Sequence, residues 1–392
     1  MQIRISSNPK GNLAREMRLA HCIHGLGLGG AQKVVQTLVS SLAASDMSHF
    51  VYCSLDGPVR ESVEAAGATV KVIPRHLPKF DPIWAWRLSE AMRTDQIDLV
   101  HTHLFGDSLH GFLAARSAGQ LPVVMTLHRN QARFNRLQKL GYRWLLPECQ
   151  GVVACAHSVG SSFVAAQPGL EEKLIVIPNG IAFDKPVDLE RREQESLRDD
   201  LGLDPDSLLL AAMGRFVEEK GYNFLIQAFS RLPADVRAQS QLLLLGQGPL
   251  EDSLNRLAQK LGVADRVIFG GYRQDVPRIL SIVDVVVFSS LWEGLSIALL
   301  EAMASEKCIV ATDIQSFRDA VESDSEVILA PPADPVELGA ALQRVIGDAG
   351  LRKMLGQRAG RRFRECFTAS TMARSYERLY RKVHSTRSAP SP

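Results

Sequence analysis

Two cations and two acids in the second half of the chain carry the strongest chemical signal. Arg215 follows the apolar run Ser207–Met213, and Lys220 stands at Lys220-Gly221, where a helical pattern begins. Cations placed after a strand, beside the positive end of a helix, suit a diphosphate. Glu293 and Glu301 lie in SLWEGLSIALLEAMA, where a buried strand ends, Glu293-Gly294 turns and an apolar helix follows. An acid in an apolar helix is costly unless it is used. A rise of about 1.5 Å per residue puts the two carboxylates roughly 12 Å apart on similar sides. The unpaired amides of about Leu295, Ser296 and Ile297 lie between them. That set suits one acid on a sugar, amides on phosphate and the other acid on a ribose diol.

Gly25-Leu-Gly-Leu-Gly-Gly30 follows the first strand and opens a helix, fitting GxGxxG through Gly25, Gly27 and Gly30. Such glycines let backbone amides approach a phosphate. Asp56 lies past the second strand, where a ribose-binding acid would be. A nicotinamide-dependent oxidoreductase and a ligand-free strand–helix turn both remain open on this motif. Asp204-Pro-Asp206 is a literal DxD, but it precedes its strand and reads as a turn. His101-x-His103 alternates onto one strand face. With no third ligand evident, it reads as site lining or core packing. The six cysteines form no CxxC pair and no metal-ligand spacing, so no metal is expected. Scattered thiols in a long chain point to a reducing, cytoplasmic setting.

These residues need a frame to hold them, and 392 residues are enough for two domains. Hydrophobic residues at 46% and charged residues at 22% make an ordinary globular mixture. Lys+Arg is 45 against Asp+Glu 43, so a global basic field for nucleic acid is absent, while local patches stay open. No run approaches 18 apolar residues, and no secretory signal opens the chain. Short runs rich in Val, Ile and Leu alternate with helical patterns, from Arg18 to Ile177 and again from Ser207 to Leu329. That alternation predicts an α/β chain with two doubly wound parallel sheets. The expected divisions are a loose extension over 1–16, with Met17 as a natural start, and domains over 17–185 and 186–368. A helix over 369–385 is expected to pack back on the first domain, before a disordered tail at 386–392. The segment Arg129–Leu146 is expected to be a helix. It mixes Arg129, Arg133, Arg136, Lys139 and Arg143 with Phe134, Leu137, Leu140, Trp144 and Leu145. A basic amphipathic helix of this kind suits an anionic membrane surface.

The stretches RFVEEKG, GGYRQDVPRIL and SLWEGLSIALLEAMA resemble the retaining GT-B glycosyltransferases of family 4, the glycosyl transferases group 1 type. GLGLGGAQKVV, DLVHTHLFG, VMTLH and VIPNGI in the first half are similar to that family too. The resemblance runs from Met17 to about residue 380. It implies two Rossmann-like domains facing across a cleft, and transfer of a sugar from a nucleotide-diphosphate sugar to an acceptor hydroxyl. In that reading Arg215 and Lys220 bind the donor diphosphate, and Glu301 accepts both ribose hydroxyls. Glu293 contacts the transferred sugar, with His128 close by, and these two are the catalytic candidates. Amides of Leu295, Ser296 and Ile297 meet sugar and phosphate. Gly29 and Gly30 bring the first domain's backbone to the diphosphate, and Tyr272 borders the base. The nucleotide sugar is a substrate, and no cofactor or metal is implied. The implied acceptor is a lipid-linked glycan of bacterial cell-surface polysaccharide or lipopolysaccharide assembly, at the inner face of the cytoplasmic membrane. Two departures stand out: GGAQ replaces the common GGxE, and QSFRD at 315–319 lacks the usual glycine pair. An NAD(P)-dependent oxidoreductase and a nucleotide-sugar epimerase on the same fold are the alternatives.

Overall fold

The computed structural model describes residues 16–77, 80–183, 187–321 and 325–388. The expected extension, apart from residue 16, and the tail from 389 on lie outside them. The described residues form two compact units. One takes those up to Ala182 and those from Ala369 on; the other takes Phe183–Thr368.

The first unit is built on seven strands: β1 (Met17–Cys22), β2 (Met47–Cys53), β3 (Thr69–Val72), β4 (Leu99–His103), β5 (Val123–Leu127), β6 (Gly151–Ala154) and β7 (Leu174–Val176). They pair in parallel in the order β3-β2-β1-β4-β5-β6-β7. The second unit has β8 (Leu208–Met213), β9 (Ser240–Leu245), β10 (Val267–Gly271), β11 (Val285–Phe288), β12 (Cys308–Thr312) and β13 (Ile328–Ala330). They too are parallel, in the order β10-β9-β8-β11-β12-β13. Both sheets wind outward in two directions from a central pair, β1–β4 in one and β8–β11 in the other. In sheets of this kind the crevice at the carboxyl ends of that pair is where ligands sit.

The central strands of each sheet are buried on both faces, which is why most of them read as apolar runs. Strand β4 is fully buried, and β11 reads Val-Val-Val-Phe with all four buried. Around the second sheet, Leu225, Phe229 and Leu342 pack against Leu242, Leu244 and Val310. In the first, Val35, Val39 and Val63 pack against Val51 and Cys53.

Two expected boundaries move, at 129–146 and at the end of the last helix, and one helix was not anticipated. The charged stretch after residue 186 contains the helix Arg191–Asp200, started by a Glu190–Glu193 capping box. The segment 129–146 is not one helix. Asn130 caps a single tight turn, Gln131–Arg133, and Asn135 then caps a separate helix, Arg136–Glu148. The last helix is Ala369–Ser388, so 386–388 are helical where a tail was expected. That helix inserts Tyr376 and Tyr380 into the first unit, where both are buried. Tyr376 pairs its hydroxyl with that of Thr126 at 2.9 Å, and Tyr380 meets His101 Nδ1 at 2.7 Å.

Candidate active site

The second unit assembles the strongest group at the β8–β11 switch point. After β8 the chain passes Gly214 and Arg215, makes a single turn at Glu218–Lys220, and enters the helix Tyr222–Ser230. After β11 it runs through Ser289–Gly294 to Ser296, the N-cap of the helix Ile297–Ala304. Two hydrogen bonds lock the loops together. Ser289 Oγ donates to the Lys220 carbonyl at 2.8 Å, and the Leu291 amide donates to the Glu219 carbonyl at 2.8 Å. Gly221 permits the approach: its φ is 61°, and a Cβ there would lie 2.2 Å from the Ser289 carbonyl oxygen.

Across this junction Lys220 Nζ forms an ion pair with Glu293. The side chains are 15% and 12% exposed. Ser290 Oγ donates to the same carboxylate oxygen at 2.9 Å. Beneath them Tyr222 donates to the Gly214 carbonyl at 3.1 Å. Burial, and then the Glu293 carboxylate, push its phenol far above the usual range.

Glu301 lies on the following helix, half-buried. Tyr272, after β10, is exposed, and its phenol is raised first by partial burial and then by the Glu301 carboxylate. The structure therefore brings Lys220 to Glu293 and Tyr272 towards Glu301. Arg215 is more peripheral: it is largely exposed and reaches Glu219 at 3.4 Å. Glu293 precedes the helix, so helical rise does not fix its distance from Glu301. Leu295 also precedes the Ser296 cap, and the first helical amide belongs to Ile297.

The first unit places its candidates at the β1–β4 switch point. Gly29 is extended, at φ −155°, and Gly30 opens the helix Gly30–Leu42. Gln32, the residue that breaks the GGxE pattern, folds back and donates to the Gly25 carbonyl at 3.1 Å. Gly25 bridges to Leu55, and a Cβ on it would lie 2.9 Å from Leu55 Cβ. Close backbone packing thus accounts for this glycine without a ligand. Asp56 is engaged by Arg60 at 2.9 Å and by the Gly57 amide at 2.8 Å. His128 follows β5, half-buried, with Nε2 3.2 Å from His103 Nδ1. Burial lowers its pKa to about 4, so it is neutral near pH 7.

Asp204 accepts from the Asp206 amide at 3.1 Å, as a turn does, and approaches Arg266 at 3.4 Å. QSFRD begins with the short helix Gln315–Arg318, and Arg318 pairs with Asp313. Three contributors were not anticipated: Ser290, Tyr222 and His21. His21 stands beside His101 because β1 and β4 pair in that register. A histidine inside the strand MRLAHC, among Leu19, Ala20 and Cys22, was the available signal.

Comparison with known proteins agrees with this architecture. The family model "Glycosyl transferases group 1" matches residues 193–362, and "Glycosyltransferase Family 4" matches 28–185. An Escherichia coli UDP-Gal:alpha-D-GlcNAc-diphosphoundecaprenol alpha-1,3-galactosyltransferase is 28% identical over 277 residues, 68% of this chain and 71% of its own. The N-acetyl-alpha-D-glucosaminyl L-malate synthase of Bacillus anthracis is 23% identical, covering 78% of this chain and 80% of its own. The crystal structure of Anabaena HepE in complex with UDP and glucose superposes with a TM-score of 0.82 at 21% identity, over 93% of this chain and all of that one. The nicotinamide reading of the glycine loop is not favoured by these matches. With one model on each unit and the fold shared, this chain belongs to the group 1, family 4 glycosyltransferases and has their GT-B fold.

Proposed function

We propose that the protein transfers a sugar from a nucleotide-diphosphate sugar to an acceptor hydroxyl, with retention and without a metal. The half-buried Lys220–Glu293 pair at the β8–β11 switch point carries this reading. As the glycosidic bond breaks, negative charge grows on the leaving diphosphate. Lys220 and the amides at the start of the helix Ile297–Ala304 are fixed beforehand to meet it. When the diphosphate takes Lys220, Glu293 is released towards the sugar, which becomes electron-poor at the anomeric carbon. Ser290 keeps the carboxylate oriented through that exchange. Glu301 and Tyr272 then serve the ribose and base. Neutral His128 can donate to or accept from a sugar hydroxyl without bringing a charge.

A lipid-linked glycan as acceptor is part of the same proposal, with work at the inner face of the cytoplasmic membrane. The helix Arg136–Glu148 supports it. Leu137, Leu140 and Trp144 are 78%, 66% and 53% exposed, and their spacing puts them on one face. Arg136, Lys139 and Arg143 accompany them, and Lys139 and Arg143 help line a recess of about 220 Å³. Among the described residues no helix is long and apolar enough to cross a membrane. A surface of this composition fits an anionic lipid interface.

Release of a nucleoside diphosphate from a panel of nucleotide sugars tests the reaction. NMR of the product should show the donor's anomeric configuration. Magnesium and manganese should leave the rate unchanged. An inverted product, or a strict need for either ion, overturns the corresponding part.

A further inference from the structure

We propose that His21, His101 and His103 form a binding site for a divalent transition-metal ion inside the first unit. The proposal does not rest on the reading of the donor-binding group.

The three imidazoles come from the two central strands of the sheet. His21 of β1 is the register partner of His101 of β4, and His103 follows two residues on, on the same face. Each ring offers a nitrogen within 4.8 Å of the other two. Ring centroids are 5.4 Å apart for His21 and His101, 5.9 Å for His21 and His103, and 4.0 Å for His101 and His103. All three side chains are fully buried.

Their hydrogen bonding is incomplete in an informative way. His21 Nε2 meets His49 Nδ1 at 3.2 Å, while His21 Nδ1 has no partner. His103 Nδ1 meets His128 Nε2 at 3.2 Å, while His103 Nε2 has no partner. A buried polar atom left unpaired is unfavourable, and native proteins rarely keep two on neighbouring side chains. One nitrogen held and the other bare is the pattern of a metal-ligating histidine, whose outer nitrogen is oriented by a second partner. His101 lies between two hydroxyls, Thr126 Oγ1 at 2.7 Å from Nε2 and Tyr380 Oη at 2.7 Å from Nδ1. The Thr126 contact can open, because that hydroxyl also bonds Tyr376 Oη at 2.9 Å. His101 Nε2 would then become a ligand while Tyr380 orients the ring.

Three neutral histidines suffice for zinc, with a fourth position left for water. Nitrogen donors favour Zn²⁺, Co²⁺, Ni²⁺ or Cu²⁺ over Mg²⁺ and Ca²⁺. An ion here would also fix the tautomer of His103, and through it the hydrogen bond to His128.

The test uses the full chain without a polyhistidine tag. Chelator-stripped protein is titrated with Co²⁺ and followed by its visible d–d bands, then by X-ray absorption at the cobalt edge. Expected are about one ion per chain, the intense bands of a four-coordinate site and scattering from three imidazoles. His21→Gln and His103→Gln each remove a ligand and should weaken binding at least about tenfold, the loss that removing even an outer-shell partner brings. His157→Gln, at an exposed histidine of the same unit, should bind as the wild type does. If the core variants fail to fold, the absorption spectrum of the wild-type complex decides alone. No stoichiometric binding, fewer than three imidazoles on the ion, or binding untouched by folded His21 and His103 variants overturns the site.

Discussion

Lys220 and Glu293 neutralise one another across two loops, so neither charge is spare in the resting protein. The reaction proposed here begins by breaking that pair. Lys220→Ala should then remove roughly 2–4 kcal/mol of transition-state stabilisation, as loss of a preorganised donor does. Steady-state kinetics checks this, and near-normal turnover would reject it. The two glutamates should separate by calorimetry. Glu301→Ala should weaken binding of the bare nucleoside diphosphate, while Glu293→Gln should spare that affinity and lower turnover; the opposite pattern would exchange their roles. A third residue offers a pH signature. Asp107 is buried near Arg75 and His24, at 3.9 and 3.8 Å. Burial outweighs Arg75 and raises its carboxyl from the ordinary 3.8 to about 7. Between those values the folded chain binds a proton that the unfolded chain has shed. The resulting stability is therefore full below about pH 4 and lost as pH rises through 7, a difference of roughly 4 kcal/mol. Asp107→Asn should flatten that slope in denaturant midpoints measured across pH; an unchanged slope would place the proton elsewhere. Lys220, Glu293 and Glu301 were readable in the sequence because charge beside apolar strand and helix patterns demands a use. Their partners were not: Ser290 and Tyr222 look ordinary until the two loops close on each other.

Among the elements, the two loops at the β8–β11 switch point depend on Gly221. Gly221→Ala combines a positive φ with a Cβ placed on the Ser289 carbonyl. It should destabilise the unit by about 2 kcal/mol or more, and the loops should part, lowering turnover as well. Denaturant unfolding and kinetics on one preparation check both, and a fully stable, fully active variant would deny the junction its role. The helix Arg136–Glu148 gives the other prediction at this scale. The protein should sediment with anionic vesicles but not zwitterionic ones. Arg136→Glu with Arg143→Glu should weaken that binding, at about 1 kcal/mol per cation removed from the surface. Equal binding to both vesicle types would leave the helix a solvated edge. Strands were the most legible elements: β4 and β6 have the bounds that their apolar runs predict, Leu99–His103 and Gly151–Ala154. The segment 129–146 was harder, since Asn130 and Asn135 both cap, and two starts within one basic stretch merge in the residue pattern. Glu190–Glu193, a capping box inside a charge run, was hidden for the same reason.

For the whole molecule, strand–helix alternation predicted two parallel sheets, and the described residues form two. Pairing across distant segments is what alternation cannot convey. His101 and His103 are visible together in the sequence, but His21 reaches them only through the β1–β4 register. Tyr376 and Tyr380 reach Thr126 and His101 only because the last helix returns to the first unit. A chain ending at residue 368 should therefore lose the calorimetric transition of the first unit, and restoring residues 369–388 as a separate peptide should bring part of it back. A first unit that melts unchanged without them would make the helix an accessory.

That return also orders events during synthesis. The first sheet leaves the ribosome well before the helix that carries Tyr376 and Tyr380 back to it. All of Phe183–Thr368 must be made in between. At about 5–20 residues per second that interval is roughly 10–40 s. When that interval ends the second unit has its whole stretch of chain, while the first sheet still lacks the helix that brings Tyr376 to Thr126 and Tyr380 to His101. The first unit thus closes only after the second has been made.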